Sequence, residues 1–243
     1  MPVRPLDRFG AMCGRFVSAT PPDQVAAYFG AEAPEALLEP SYNVAPTNDV
    51  YAVLSDGTTR HVDAFHWGLV PRWAKDPKIG SKMINARAET LAEKNAYKSA
   101  FQKRRCIIPA DGFYEWQKRE GQRTKQPFFI HRPDGEPYAF AGLWEVWKGE
   151  DGEPLRSCTI ITTTPNSEMA KIHDRMPVIL APEAWDTWLD REVQDLELLG
   201  KLLVPAPPHL IVLRPISTAV NNVRNDGPEL TDEAEPLPPD PKG

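Results

Sequence analysis

Apolar positions in this chain come in short runs of four to eight, cut by Gly, Pro and Asp, with few long stretches of helical period. Val50–Leu54 is a continuous apolar run closed by Ser55-Asp56-Gly57. A second strand is expected to lead into Trp67-Gly68-Leu69-Val70-Pro71-Arg72-Trp73. Cys106–Ala110 and Gly112–Trp116 predict adjacent strands around an Asp-Gly bend. Pro127–His131 and Tyr138–Trp144 flank Arg132-Pro133-Asp134-Gly135, a hairpin signal. Cys13–Val17, Ser157–Thr163, Val178–Leu180 and Leu210–Leu213 complete the expected strands.

Helical period is confined to a few places. Thr20 is placed to cap a helix with Pro21 in its first turn, Val25, Ala26, Tyr28 and Phe29 inward, and Gly30 at its end. A helix of about 90–103 would face Leu91, Tyr97, Ala100 and Phe101 inward, and Pro182–Asp190 and Val193–Leu203 also suggest helices. Residues 31–41, 74–82 and Gly149–Pro154 are expected as loops. Many short strands with no regular βαβ alternation predict one α+β domain: mainly antiparallel sheet or a distorted β-barrel with a few flanking helices. Residues 1–11 are expected as an extension outside the mature protein, 12–230 as the folded domain, and 231–243 as a disordered acidic, Pro-rich tail.

Composition narrows the partners. No run of about 18 apolar residues predicts a membrane span, and the first eleven residues lack the apolar core of a signal peptide, so a cytoplasmic protein with no membrane partner is expected. Cys13, Cys106 and Cys158 form no C-x-x-C pair, which argues against a zinc cluster or a disulfide framework, and nothing signals a metal or organic cofactor. The formal net charge is −6, yet ten basic and three acidic side chains lie between Arg72 and Arg105. Screening confines each charge to roughly 8–10 Å, so such a stripe can hold phosphates on an acidic protein. A solvated helix face accounts equally well for Lys94 to Arg105.

Four fragments combine polar groups with tight turns: Cys13-Gly14-Arg15-Phe16, Asn85-Ala86-Arg87, Gly112-Phe113-Tyr114-Glu115-Trp116 and His173-Asp174-Arg175-Met176-Pro177. Singly, each has an ordinary structural explanation. Glu115 alternates with Tyr114 and Trp116 and could point to water, His173 could be a loop histidine, and Arg87 could pair with Glu89. Met12-Cys13 carries a sharper option. If the chain begins at Cys13, an α-amine and a thiol sit on adjacent carbons, and the amine, with a pKa of about 7.7–8.0, is partly neutral at physiological pH. The amine condenses with an aldehyde to an imine, and the thiol closes a thiazolidine.

Together, and with Tyr42-Asn43-Val44-Ala45-Pro46, Trp67-Gly68-Leu69-Val70-Pro71, Gln126-Pro127-Phe128-Phe129-Ile130 and Val220-Asn221-Asn222, these fragments resemble the SOS-response-associated peptidase family, the abasic-site processing proteins. The resemblance covers roughly residues 12–230. It implies a DNA-damage protein that recognises abasic sites in single-stranded DNA and bonds to them through an N-terminal Cys, with peptidase-type and lyase-type activities attached to the family. It makes Cys13 the nucleophile, Glu115 the proton-transferring carboxylate, His173 an acid for the sugar oxygen or an aid to reversal of the crosslink, and Asn85 an orienting side chain. Arg87 and Arg175 become phosphate clamps and Trp73 a base-stacking ring. Arg15, Asn43, Pro46 and Thr162 shape the pocket. Single-stranded DNA is the implied partner, with replication-fork proteins beyond it, and one copy suffices. The eleven residues before Met12 depart from the family pattern. A start at Met12 explains them better than self-cleavage by Cys13. A non-catalytic DNA reader and a thiol peptidase acting on other proteins are the competing readings.

Overall fold

The computed structural model describes residues 14–149, 152 and 154–239. Its strands are β1 (Phe16–Ser18), β2 (Ala31–Glu32), β3 (Ser41–Val44), β4 (Asp49–Ser55), β5 (Arg60–Trp67), β6 (Asn85–Arg87), β7 (Arg105–Ala110), β8 (Gly112–Gln117), β9 (Gln126–His131), β10 (Tyr138–Lys148), β11 (Pro154–Thr163), β12 (Met176–Pro177) and β13 (Val212–Pro215). The α-helices are α1 (Pro22–Phe29), α2 (Lys98–Lys103), α3 (Trp185–Leu189) and α4 (Leu196–Lys201). This is the expected α+β class, mostly antiparallel.

The larger sheet runs β12-β11-β10-β7-β4-β5-β2. A parallel pairing of β5 with β11, Ser157 against His66 and Cys158 against Trp67, closes five of its strands into a barrel. The smaller sheet runs β13-β9-β8-β1-β3. Alternation along β10 sorts its side chains between two cores. Tyr138 and Phe140 join Phe16, Phe113 and Ile130 of the smaller sheet in a shared cluster. Ala139, Ala141 and Leu143 pack under the four helices with Phe29, Phe101, Trp188 and Leu199. A third cluster, Val17, Tyr114, Phe129, Ile216, Val220 and Leu230, seals the outer face of the smaller sheet with the C-terminal segment.

Several local expectations are corrected. Thr20 does not cap α1; Pro21 holds that position and makes no side-chain bond to the helix. The Thr20 hydroxyl instead donates to Asp111 Oδ1 at 2.5 Å, and the same carboxylate takes the Ala19 and Thr20 amides. Asp111 thus pins the point where the chain crosses from β7 in one sheet to β8 in the other. Gly30 ends α1 as expected, in the left-handed conformation at φ 59°. The expected hairpin is also absent. Its turn exists, with the Gly135 amide on the Arg132 carbonyl, but β9 pairs with β8 and β13 while β10 pairs with β7 and β11.

The helix expected over 90–103 is only Lys98–Lys103, preceded by turns and a 3₁₀ segment at Ala88–Thr90. Leu91 and Tyr97 are both buried, and six residues apart they cannot share a face of one α-helix. The 74–82 loop contains a 3₁₀ helix, Pro77–Lys82, capped by Asp76 Oδ1 on the Lys78 amide. The 31–41 loop donates β2 to the larger sheet. The expected strand at 178–180 shrinks to β12 plus an isolated Phe140–Ile179 bridge, and the late strand starts at Val212. Residues 231–239, expected to be disordered, are held: Glu233 bridges Ile216, and the Leu237 amide donates to Gln126 Oε1 at 2.7 Å.

The basic stripe divides. Arg105 is 3% exposed, and among the described residues no carboxylate closes on it as an ion pair. Its guanidinium instead donates to backbone carbonyls at the end of α2 (Phe101 and Gln102), at the end of α3 (Trp188) and beyond α3 at Val193. Burial lowers its pKa to about 10. This one side chain ties two helix C-termini to the barrel, where the helix dipoles favour a cation. Arg105→Met should strand several buried carbonyls and lower stability by roughly 2–4 kcal/mol, read as a loss of several degrees in the thermal midpoint.

Candidate functional site

The β1–β8 register brings the chain's first described residues to the carboxylate. Phe16 pairs with Phe113, and the Tyr114 amide donates to the Arg15 carbonyl at 3.0 Å. Continued by one step, this register sets Gly14 against Glu115. Cys13, the residue before Gly14, lies outside the described residues.

Glu115 does not point to water. Two residues after Phe113, it shares that residue's inward side of β8 and is 3% exposed, whereas Tyr114 packs in the outer cluster. A carboxylate so placed is costly unless polar partners meet it.

His173 is drawn toward the same strand. It follows a 3₁₀ turn, Met169–Lys171, and its amide donates to the Met169 carbonyl at 2.8 Å. Gln117, two residues past Glu115, donates through Nε2 to the Lys171 carbonyl at 2.8 Å and anchors the turn to β8. The Arg175 amide donates to His173 Nδ1 at 3.2 Å, which leaves Nε2 to carry the proton of the neutral ring. Protonated, the ring has Asp174 Oδ1 at 3.0 Å from Nδ1.

Asn85 enters through β6, which lies parallel beside β11 with Asn85 opposite Ile160. Two backbone approaches set its position. Gly68, at φ 139°, and Gly80 pack so closely that a Cβ on Gly80 would fall 2.5 Å from the Gly68 carbonyl oxygen. The Leu69 amide then donates to Met83, just before β6. The Tyr97 hydroxyl reaches the Asn85 carbonyl at 3.4 Å, and burial raises its pKa to about 12, so it remains a donor.

The expected phosphate clamps differ in kind. Arg87 is exposed at the end of β6, opposite Thr162. Arg175 is 12% exposed and already engaged. Its fork holds both oxygens of Glu89, and Nη2 donates to the Thr162 carbonyl at 2.7 Å. Thr162 is fully buried, so it can act only by seating Arg175.

Arg15 and Asn43 lie on the outer side of the smaller sheet, across from Glu115. Arg15 Nη1 donates to Asn43 Oδ1 at 2.8 Å and to the Val220 carbonyl at 3.1 Å. Asn43 Nδ2 holds the Asn222 and Asn225 carbonyls at 3.2 and 2.8 Å. They fix β1 through the C-terminal segment rather than lining an inner pocket. Pro46 is half-buried in a turn closed by the Asn48 amide on the Ala45 carbonyl. Its next residue, Thr47, sits at φ 76°, a strained position for a β-branched side chain that sequence reasoning did not anticipate. Trp73 is 62% exposed, with a groove of about 560 Å³ on one side, lined by Asn95, Lys98, Ser99 and Gln102. Another of about 650 Å³ on the other side is lined by Lys75, Lys78 and Lys82 among others.

Of the ten basic residues in the stripe, only Arg104 and Arg105 are withdrawn from solvent; Arg72, Lys75, Lys78, Lys82, Arg87, Lys94, Lys98 and Lys103 remain exposed. Cys106 and Cys158 are fully buried, and burial raises both thiols, so neither supplies a thiolate at neutral pH. Among the described residues, no cluster of His, Cys, Asp and Glu could hold a metal, and no helix is long and apolar enough to cross a membrane.

Fold and site together define a single-domain α+β protein with a buried carboxylate and a histidine turn tied to one strand beside a closed barrel. Residues 12–223 match the family model described as SOS response associated peptidase (SRAP), and the chain belongs to that family. It is 46% identical over 221 residues to abasic site processing protein YoqW of Bacillus subtilis, covering 90% of this chain and 98% of that one. It is 35% identical to YedK of Escherichia coli, with 90% and 98% covered. With HMCES of Gallus gallus it shares 39% identity over 80% of this chain and 66% of the relative. A crystal structure of a protein from Bacteroides thetaiotaomicron superposes with a TM-score of 0.81 at 26% identity, covering 92% of this chain and 100% of that one.

The Glu89–Arg175 pair gives a pH signature. The bond from Arg175 holds the Glu89 carboxyl below its ordinary 4.5. A depressed folded-state value contributes stability above the unfolded value and loses it as pH falls through the folded one. Subtracting the stability–pH profile of Glu89→Gln from that of the parent should leave a plateau above about 4.5 that declines at lower pH. A flat difference would show that the pair contributes nothing.

Proposed function

We propose that this protein binds abasic sites in single-stranded DNA and captures them covalently as a thiazolidine on Cys13. The observation that supports this reading is that β1, which begins three residues after Cys13, pairs with the strand bearing buried Glu115. The printed names of YoqW, YedK and HMCES, all abasic site processing proteins, support it.

The chemistry requires a free α-amine on Cys13. Glu115 accepts a proton from the α-ammonium, and the neutral amine adds to C1′ of the open-chain deoxyribose aldehyde. Loss of one water gives the imine. The thiol then adds to the same carbon, its proton passing to the imine nitrogen, and the ring closes with no oxidant or reductant. Ring closure removes the iminium that would promote β-elimination of the 3′ phosphate, so the strand survives. His173 protonates the sugar oxygen as the ring opens, and Asn85 orients the sugar. Arg87 holds a phosphate, Arg175, seated by Thr162 and Glu89, braces the strand edge beside it, and Trp73 stacks a base, worth roughly 1–3 kcal/mol. Residues 12–230 would form the catalytic unit.

A form beginning at Cys13, mixed with an abasic oligonucleotide, should give one adduct whose mass is the sum of the two less one water. An undamaged oligonucleotide should give none. Cys13→Ala should abolish the adduct, and Glu115→Gln should slow it roughly 10²–10⁴-fold, as for loss of a general base. Binding of undamaged and abasic strands with equal affinity and no adduct would support a non-catalytic reader instead.

A further inference from the structure

Trp73 is largely exposed, yet the turn that carries it is held on both flanks. It stands on the turn Pro71–Ala74, closed by the Ala74 amide on the Pro71 carbonyl at 2.9 Å. On one side Arg72 Nε donates to Glu145 Oε1 at 2.7 Å. On the other, Trp147 Nε1 donates to the Ala74 carbonyl at 2.7 Å. Glu145 and Trp147 are two residues apart on β10, hence on one face of it.

The carboxylate does more than a surface bridge would. Its side chain is 7% exposed, against 62% for Arg72. A carboxylate this buried is sustained by a second cation: Arg104 Nη2 donates to Glu145 Oε2 at 2.8 Å. The same nitrogen lies 3.0 Å from Ser99 Oγ, in the wall of the groove beside Trp73. One carboxylate therefore couples the turn bearing the ring to the wall that the ring faces.

We propose that Glu145, assisted by Trp147, is a positioning residue that holds the Trp73 ring upright over its grooves so that a nucleobase can stack on it. This rests on the abasic-site reading above, in which Trp73 contacts DNA. Stacking returns its full energy only on a ring already oriented, because otherwise binding must order the turn. Glu145 has no part in the bond-forming step of that reading, so its loss weakens capture of DNA and spares that step.

The test measures crosslinking rate against protein concentration, using chains that begin at Cys13 and a fluorescent abasic oligonucleotide. Glu145→Gln, Trp73→Ala and the double variant are compared with the parent. Glu145→Gln should raise the half-saturating concentration roughly 5–30-fold, the lower part of the stacking range, and leave the saturating rate within about twofold. On the Trp73→Ala background it should add less than about twofold, because the ring it positions is gone. Trp147→Phe removes only the donor to Ala74 and should shift the half-saturating concentration in the same direction, which keeps the test valid if Glu145→Gln folds poorly. Additive effects in the double variant, or a fall in saturating rate with half-saturation unchanged, overturn the proposal. A parent chain that forms no adduct and binds abasic and intact strands alike instead sinks the functional reading, and the proposal with it.

Discussion

The pairing of β1 with β8 is the constraint on which the site depends. β1 is only three residues long, and a slip of one position would turn Phe16 out of the shared core and move Gly14 off Glu115. Three anchors prevent it. Phe16 meets Trp67 edge-on at 5.1 Å between ring centroids, fixing the inward side. Asp111 holds Ala19 and Thr20 at one end. At the other, Arg15 is tied to Asn43 and to the Val220 carbonyl. Arg15, Asn43 and the C-terminal segment thus act on the inner face from outside it, through the backbone they hold.

A consequence is that charge here has two separate tasks. Arg104 and Arg105 are neighbours with unlike roles: one shares a buried carboxylate with Arg72, the other joins helix ends through carbonyls. Arg175 is likewise spent inside the protein, on Glu89 and Thr162. What remains for solvent is mostly lysine, gathered around Trp73 and along 75–103, on a chain whose formal net charge is −6. Lysines held at the surface supply a diffuse attraction for phosphate, while the planar guanidiniums that would be costly to bury unpaired build the frame.

Strand positions were legible because alternation is a local property, and so was the Gly30 stop of α1, which follows from backbone sterics at one residue. Partnership was not. The Arg132–Gly135 turn has a hairpin's composition, but its flanks enter different sheets, and the choice is made by distant pairings such as Phe113 with Ile130 and Tyr138 with Ala110. Thr20 had a cap's composition, but Pro21 takes the cap position and the Thr20 hydroxyl turns to Asp111, 91 residues away. The polar fragments containing Glu115, His173 and Asn85 could be singled out from their residue types, whereas the inward turn of Glu115 depended on which face of β8 Phe113 takes. The clamp on Trp73 left no local trace, since Arg72 and Glu145 are 73 residues apart.

In the proposed reaction the terminal amine and thiol of Cys13 jointly capture a sugar aldehyde. The most direct measurement maps the bond itself: form the adduct, digest with nuclease and trypsin without borohydride, and sequence the modified peptide by mass spectrometry. The sugar remnant should reside on Cys13-Gly14-Arg15 and survive without reduction, with both the amine and the thiol blocked. A remnant on a lysine peptide, or one recovered only after borohydride trapping, would contradict it.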